Sequence, residues 1–142
     1  MIIPYISKLI IILILAINSY KDIREHEISI PITLAGIPVG IVCAVLTRND
    51  LPVGIILSVL PGIVSFALTL ASGGQIGAGD GLMLCVLGFF YPPGDMLLIV
   101  SAALIMSAVY GGALLMRRHG GGEAYAFVPF LMAGVCVLEF IS

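Results

Sequence analysis

Apolar residues fill six segments of this chain, and short polar stretches separate each segment from the next. The segments span residues 3–20, 30–47, 52–71, 80–92, 95–116 and 124–141. Most of them hold about 17–22 residues, enough for a helix to cross a hydrocarbon core of roughly 30 Å. The pattern therefore predicts a polytopic, all-α membrane bundle of about six transmembrane helices.

The polar stretches between the segments contain residues that end or begin helices. They read "KDIREHEIS", "TRND", "SGGQIGAG", "YPPG" and "RRHGGGE". Ser29 is a predicted N-cap for the second helix. Asn49 or Asp50 is the predicted N-cap of the third helix, with Pro52 in its first turn. These signals support a break at each boundary.

The composition agrees with a membrane protein and excludes several other classes. Of 142 residues, 61% are hydrophobic and 10% are charged, whereas soluble domains are about half apolar and a quarter charged. We expect a single membrane-embedded domain over residues 1–142. The net charge of −2 gives no reason to expect nucleic-acid binding. The chain has no CxxC pair and two distant histidines, so we expect no metal and no cofactor.

The basic residues predict the orientation of the bundle. Lys21, Arg24, Arg117 and Arg118 fall in loops on one side of an alternating chain, and Arg48 falls on the other. Basic loops face the cytoplasm in most membrane proteins. The distribution predicts a multi-pass protein of the cytoplasmic membrane with its N-terminus outside.

The fourth segment is too short for a complete crossing. About 12 apolar residues follow Asp80, which as a helix is roughly 18 Å long. Either the bilayer thins locally, or the helix starts below the interface after irregular glycine-rich backbone. Irregular backbone at this depth needs protein or a water-filled cavity around it. The second alternative predicts that Asp80 lies in a wet pocket open to the cytoplasm.

Two aspartates are the candidate chemical groups. Asp22 follows the first segment and Asp80 begins the fourth, so two intervening spans return the chain to the same side. Ionisable residues in or near membrane spans are rare and generally functional. Two close carboxyl groups do not both ionise easily, so one acts as a base towards water while the other donates a proton. Gly77 and Gly79 leave room beside Asp80 for a substrate backbone or a neighbouring helix.

Each aspartate taken alone has a simpler interpretation. Asp22 is equally consistent with an interfacial residue paired with Lys21 or Arg24 in a solvated loop. Asp80 is equally consistent with a helix N-cap in a glycine-rich loop. Their combination on one side of a chain with few charges favours a functional pair.

Three stretches resemble the type IV prepilin peptidase family, the GxGD-type aspartic membrane proteases. "DIREHEIS" follows the first span as the family's D-x-R-x-x-x-I element does, and "GAGDGLML" opens the fourth span like its GxGD element. "YAFVPFLMAG" is similar to the family's last-helix pattern. The similarity is greatest to short, single-domain members from tight-adherence (Flp-type) pili and to archaeal preflagellin peptidases.

The resemblance implies an activity and a set of site residues. It implies that Asp22 and Asp80 are the catalytic aspartates. Residues implied to bind substrate or to shape the motifs are Gly77, Gly79, Arg24 and Ile28. The implied reaction is hydrolysis of the basic leader peptide of a prepilin-like protein at the cytoplasmic face of the membrane.

The chain also departs from the family pattern. Leu82 stands where family members commonly carry a lysine, and Ile28 is followed by Ser29 and Ile30 instead of Pro-Asn. The long members of the family carry an extra domain with CxxC motifs and methylate the new N-terminus. This chain has no CxxC motif, so we expect cleavage without methylation.

Two other functions fit parts of the pattern. In a small proton- or ion-coupled transporter subunit, the two aspartates would form a proton path. No internal repeat supports this, and both acids lie at one side. A non-catalytic pilus-assembly scaffold that keeps the fold is the other alternative, and Leu82 is consistent with it.

Overall fold

The chain forms a helical bundle. The computed structural model describes residues 2–25, 30–49, 52–73, 78–116 and 127–141. These residues form six α-helices and no strand, which confirms the predicted fold class. The helices are α1 (Ile3–Glu25), α2 (Ile30–Thr47), α3 (Val53–Ala71), α4 (Ala78–Phe90), α5 (Pro93–Met116) and α6 (Val128–Ile141).

Four of these helices, α1, α2, α3 and α5, are long and apolar enough to cross a membrane. The described parts of α4 and α6 are shorter apolar helices. Large apolar side chains cover the outward faces of the long helices, including Leu13, Val42 and Leu57, each more than half exposed. A water-facing surface of this kind is not expected of a soluble monomer, so the chain is a membrane protein.

The first helix is longer than its apolar segment. The pattern predicts a first span over residues 3–20, but α1 continues to Glu25. Lys21, Arg24 and Glu25 are good helix formers, and a cation in the last turn suits the helix dipole. Asp22 therefore lies within the helix, near its end, and not in a loop after it.

The start of α3 also differs from the prediction. Pro52 occupies its N-cap position without a side-chain hydrogen bond, and the helix begins at Val53. Asn49 lies outside the helix, and the predicted caps Asp50 and Ser29 lie outside the described residues. Proline suits this position because it has no N–H group to satisfy.

Successive helices alternate in direction. The start of α1 and the ends of α2, α4 and α6 meet around a cavity of about 620 Å³, whose lining includes Lys8, Arg48, Tyr91 and Glu139. We call this the Lys8 end of the bundle. The end of α1 and the starts of α4 and α6 lie at the other end, which we call the aspartate end.

The short helix α4 is enclosed by its neighbours. It packs mainly against α3 and α2, and touches α1 and α5 over shorter stretches. Residues Gly79–Phe90, whose side chains the structure describes, are all buried or half-buried. With 13 residues, α4 is about 20 Å long. Because protein surrounds it, α4 need not match the thickness of the bilayer.

Glycines bring the backbones of α3 and α4 into direct contact. A Cβ atom at Gly62 would lie 2.5 Å from the Cys85 backbone nitrogen. A Cβ atom at Gly88 would lie 2.6 Å from the Ser58 carbonyl oxygen. Small residues permit this close packing in membrane bundles. The contact fixes α4, and with it Asp80, against α3.

Polar contacts hold the Lys8 end together. The Arg48 guanidinium donates to the carbonyl oxygens of Gly88 (2.9 Å) and Tyr91 (3.2 Å), and to the Ser58 hydroxyl (3.1 Å). Arg48 thus satisfies carbonyl groups that the end of α4 leaves without a helical partner. Lys8 forms an ion pair with Glu139 at 2.9 Å, and Tyr91 donates to the same carboxylate at 3.3 Å.

Candidate active site

Asp22 lies near the end of α1 and faces α6. Its side chain is buried, with 7% exposure. Its Oδ2 atom accepts a hydrogen bond of 3.1 Å from the backbone N–H of Val128, the first residue of α6. The first N–H groups of a helix have no partner within it and attract negative charge. Asp22 is therefore a structural partner of a distant helix and not a solvated loop residue.

The start of α6 leaves the Val128 N–H free for this contact. The Phe127 carbonyl oxygen accepts hydrogen bonds from the backbone N–H groups of Phe130 (2.9 Å) and Leu131 (3.3 Å). Pro129, which lies between, has no N–H group. A carboxylate from α1 thus takes the place of the side-chain cap that often begins a helix.

Asp80 lies in the first turn of α4, at the same end of the bundle as Asp22. Its side chain is half-buried. The two carboxyl groups are close enough for the negative charge of Asp22 to act on Asp80. The structure therefore brings together the two aspartates that are 58 residues apart in the sequence.

The structure describes two of the other four candidate site residues, Gly79 and Arg24. Gly79 is half-buried next to Asp80 in α4. Arg24 is exposed, and its guanidinium carbon lies 5.4 Å from the centre of the Tyr20 ring, a cation–π arrangement. Arg24 thus stacks on its own helix. Gly77 and Ile28 lie outside the described residues.

Leu82 follows Asp80 by two residues and is half-buried. The α4 sequence contains no basic residue. Any cation that balances the aspartate pair must therefore come from another element or from the substrate.

The structure reveals buried polar residues near the aspartates that belong to neither sequence motif. Asn18 is fully buried in α1, one turn before Asp22. Its side-chain amide donates to the Thr33 hydroxyl at 3.0 Å and lies 3.6 Å from the Met83 sulfur. An asparagine within an apolar run stands out in the sequence, so Asn18 could have been recognised. Nothing in the sequence marks Thr33 or Met83 as its partners.

Sequence comparison places the chain in a family. The model of the type IV leader peptidase family matches residues 9–112, which is most of the chain and includes both Asp22 and Asp80. No curated protein and no solved structure matches the chain. Together with the helical membrane bundle, the match shows that the chain belongs to the type IV leader peptidase family.

Proposed function

We propose that this chain is an aspartic endopeptidase that removes the leader peptide of type IV prepilin-like substrates. Asp22 and Asp80 activate the attacking water and protonate the scissile carbonyl group. The substrates are Flp-type prepilins, and the new N-terminus is not methylated. The membership of the leader peptidase family supports the reaction class.

The observation that carries the proposal is the juxtaposition of the two aspartates. Asp22 and Asp80 lie at the same end of the bundle, near the end of α1 and in the first turn of α4, and both are at least partly buried. One ionised and one protonated carboxyl group together supply the base and the acid that peptide hydrolysis needs.

We propose that the aspartate end of the bundle faces the cytoplasm. Lys21 and Arg24 lie near the end of α1, beside Asp22, and Arg48 lies at the Lys8 end. Arg117 and Arg118 follow α5 in the sequence. The excess of basic residues supports a cytoplasmic aspartate end in a multi-pass protein of the cytoplasmic membrane.

The acidic pair suits a basic leader peptide. Opposite charges steer a substrate towards its site and favour the correct register. The apolar helix that follows the leader in a prepilin remains in the lipid beside the bundle. This arrangement requires no cofactor and no nucleic acid.

Reconstitution with a substrate tests the proposal. Purified protein in lipid vesicles is incubated with a Flp-type prepilin, and leader removal is followed on a gel. Asp22→Asn and Asp80→Asn each lower the cleavage rate by at least about 100-fold, since each removes one partner of the acid–base pair. Asp95→Asn is the control, because Asp95 lines the cavity at the Lys8 end. Cleavage that survives in both aspartate variants excludes the proposed mechanism.

The same vesicles distinguish the transporter alternative. A proton flux without substrate that either aspartate variant abolishes indicates a transporter subunit. Absence of both cleavage and flux in the folded wild type indicates an assembly scaffold.

A further inference from the structure

The helices that carry the two aspartates share little contact surface. Helix α4 packs mainly on α3 and α2, and it touches α1 over a short stretch. The direct interface between α1 and α4 is therefore too small to set the level of Asp22 relative to Asp80 by itself. The register of α1 against α4 also depends on the contacts that α1 makes with α2 and α6.

Asn18 provides such a contact. It is one helical turn before Asp22, and residues four apart lie on the same face of a helix. Its fully buried amide group donates to Thr33 of α2 at 3.0 Å. The same nitrogen lies 3.6 Å from the sulfur of Met83, which is three residues after Asp80 on α4. One side chain thus connects three helices, one turn deeper than the aspartate pair.

A polar contact at this depth resists sliding more than an apolar one. Hydrogen bonds are restricted in distance and angle, whereas apolar side chains slip past one another with little loss of contact. Moving α1 along its axis would separate the Asn18 amide from Thr33 in surroundings that offer few substitutes. Single buried polar residues fix helix register in this way in other bundles. Sulfur is a weak acceptor, so the Thr33 bond is the stronger of the two contacts.

Separate contacts tie the end of α1 to α6. Asp22 accepts the hydrogen bond from Val128 of α6, and the Ser19 hydroxyl lies 3.7 Å from the Met132 sulfur, also on α6. The end of α1 is thus tied to α6 by these two residues and to α2 and α4 by Asn18.

We propose that Asn18 is a positioning residue, whose buried amide sets the register of α1 against α4 and thereby the approach of Asp22 to Asp80. Thr33 is its main partner and Met83 its contact on α4. The effect of Asn18 on catalysis rests on the proposed peptidase function, whereas its effect on the approach of the two side chains does not.

Cross-linking measures the approach directly. Asp22→Cys and Asp80→Cys are combined in the full chain in lipid vesicles, and disulfide formation is followed after mild oxidation. Each single cysteine variant corrects for pairing with Cys43, Cys85 or Cys136. Adding Asn18→Leu or Thr33→Val lowers the rate of cross-linking several-fold, because both substitutions remove the same hydrogen bond and keep the approximate side-chain size.

Ser7→Ala is the matched control. Ser7 is also a buried polar residue of α1, but its hydroxyl donates to the Pro4 carbonyl within the same helix. Its removal leaves the cross-linking rate unchanged. If Ser7→Ala lowers the cross-linking rate as much as Asn18→Leu does, the proposal is overturned, because such a result indicates a general loosening of α1.

Kinetics with a prepilin substrate test the consequence for catalysis. Small misplacements of catalytic groups reduce turnover by about 10- to 100-fold. Asn18→Leu and Thr33→Val therefore lower kcat in this range, with KM changed less than about twofold, because leader binding is not affected. The loss in kcat of the double variant is smaller than the product of the two single losses, since both changes break the bond between Asn18 and Thr33.

The two measurements separate this proposal from the proposed function. If the wild type does not cleave prepilins but Asn18→Leu and Thr33→Val slow cross-linking, the positioning role stands and the peptidase assignment fails. If Asn18→Leu does not fold, Thr33→Val still tests the positioning role, because it removes the same hydrogen bond. If Thr33→Val folds, cross-links at the wild-type rate and has the wild-type kcat, the proposal is overturned.

Discussion

The backbone N–H of Val128 and the carboxylate of Asp22 form a 3.1 Å hydrogen bond between residues 106 positions apart. The bond joins the end of α1 to the start of α6 and orients the Asp22 side chain. Val128 lies beyond residue 112, where the match to the leader peptidase family ends. The last helix thus contacts one of the two candidate aspartates although it lies outside the matched segment.

Removing this N–H group is expected to impair the enzyme. Val128→Pro deletes the donor, and proline is tolerated at the first position of a helix. Without the donor the Asp22 carboxylate loses its fixed orientation, so we expect kcat for leader cleavage to fall by about 10- to 100-fold. Steady-state kinetics in lipid vesicles provide the measurement.

Val128→Ala is the control for this experiment. It removes part of a fully buried side chain but keeps the N–H group. It therefore lowers stability while kcat stays within a few-fold of the wild type. Equal kcat values for the proline and alanine variants would show that the hydrogen bond has no catalytic role.

The close contact between α3 and α4 predicts that the stability of the bundle depends strongly on the glycine at position 62. Gly62→Ala places a methyl group 2.5 Å from the Cys85 backbone nitrogen, so the helices must separate. We expect the free energy of unfolding to fall by about 1–3 kcal/mol, as in other overpacked cores. Unfolding by denaturing detergent in mixed micelles measures this change.

Gly112→Ala is the matched substitution on α5. Nothing lies within 4 Å of a Cβ atom at that position. Alanine is the better helix former by about 1 kcal/mol, so we expect the free energy of unfolding to stay the same or to rise. A loss as large as that of Gly62→Ala would contradict the packing argument.

Arg48 is expected to stabilise α4 from the Lys8 end. Arg48→Met leaves the carbonyl oxygens of Gly88 and Tyr91 without this donor. We expect the free energy of unfolding to fall by about 1.5–3 kcal/mol, the usual range for hydrogen bonds to charged groups. Arg48→Lys keeps the positive charge but lacks the planar guanidinium group with its several donors. We therefore expect its loss of stability to lie between those of the wild type and Arg48→Met. Lys21→Met, at the other end of α1, serves as the control and changes stability by less than about 1 kcal/mol.

Tyr91 is expected to make stability depend on alkaline pH. Burial, followed by the adjacent Glu139 carboxylate, raises the pKa of Tyr91 above its ordinary value. The folded protein therefore keeps this proton at a pH where the unfolded chain loses it, above about pH 10. Since the unfolded state then binds fewer protons, the free energy of unfolding falls as the pH rises through this range.

Tyr91→Phe removes this dependence. We expect its free energy of unfolding to fall less steeply between about pH 9 and pH 11 than that of the wild type. Tyr5→Phe is the control, because it makes the same substitution at a tyrosine that is 75% exposed. Identical slopes for all three proteins would show that Tyr91 does not carry the effect.

The positions of the helices follow from the sequence because they depend on local properties. A run of apolar residues must form a helix in lipid, where every backbone group needs an internal partner. The six predicted segments therefore correspond to α1–α6, with differences at the ends such as the extension of α1 to Glu25. Counting the crossings between Asp22 and Asp80 was enough to place both at one end of the bundle.

The contacts around the site required the tertiary structure. In a membrane bundle the lipid-facing and buried faces are both apolar, so hydrophobic periodicity does not mark the interior face of each helix. The sequence alone therefore determined the helices and the shared end of the two aspartates. The central place of α4, the Val128 donor to Asp22 and the Asn18 link to Thr33 were decided by helix packing. They join residues from different helices, and close backbone approach at glycines such as Gly62 sets their geometry.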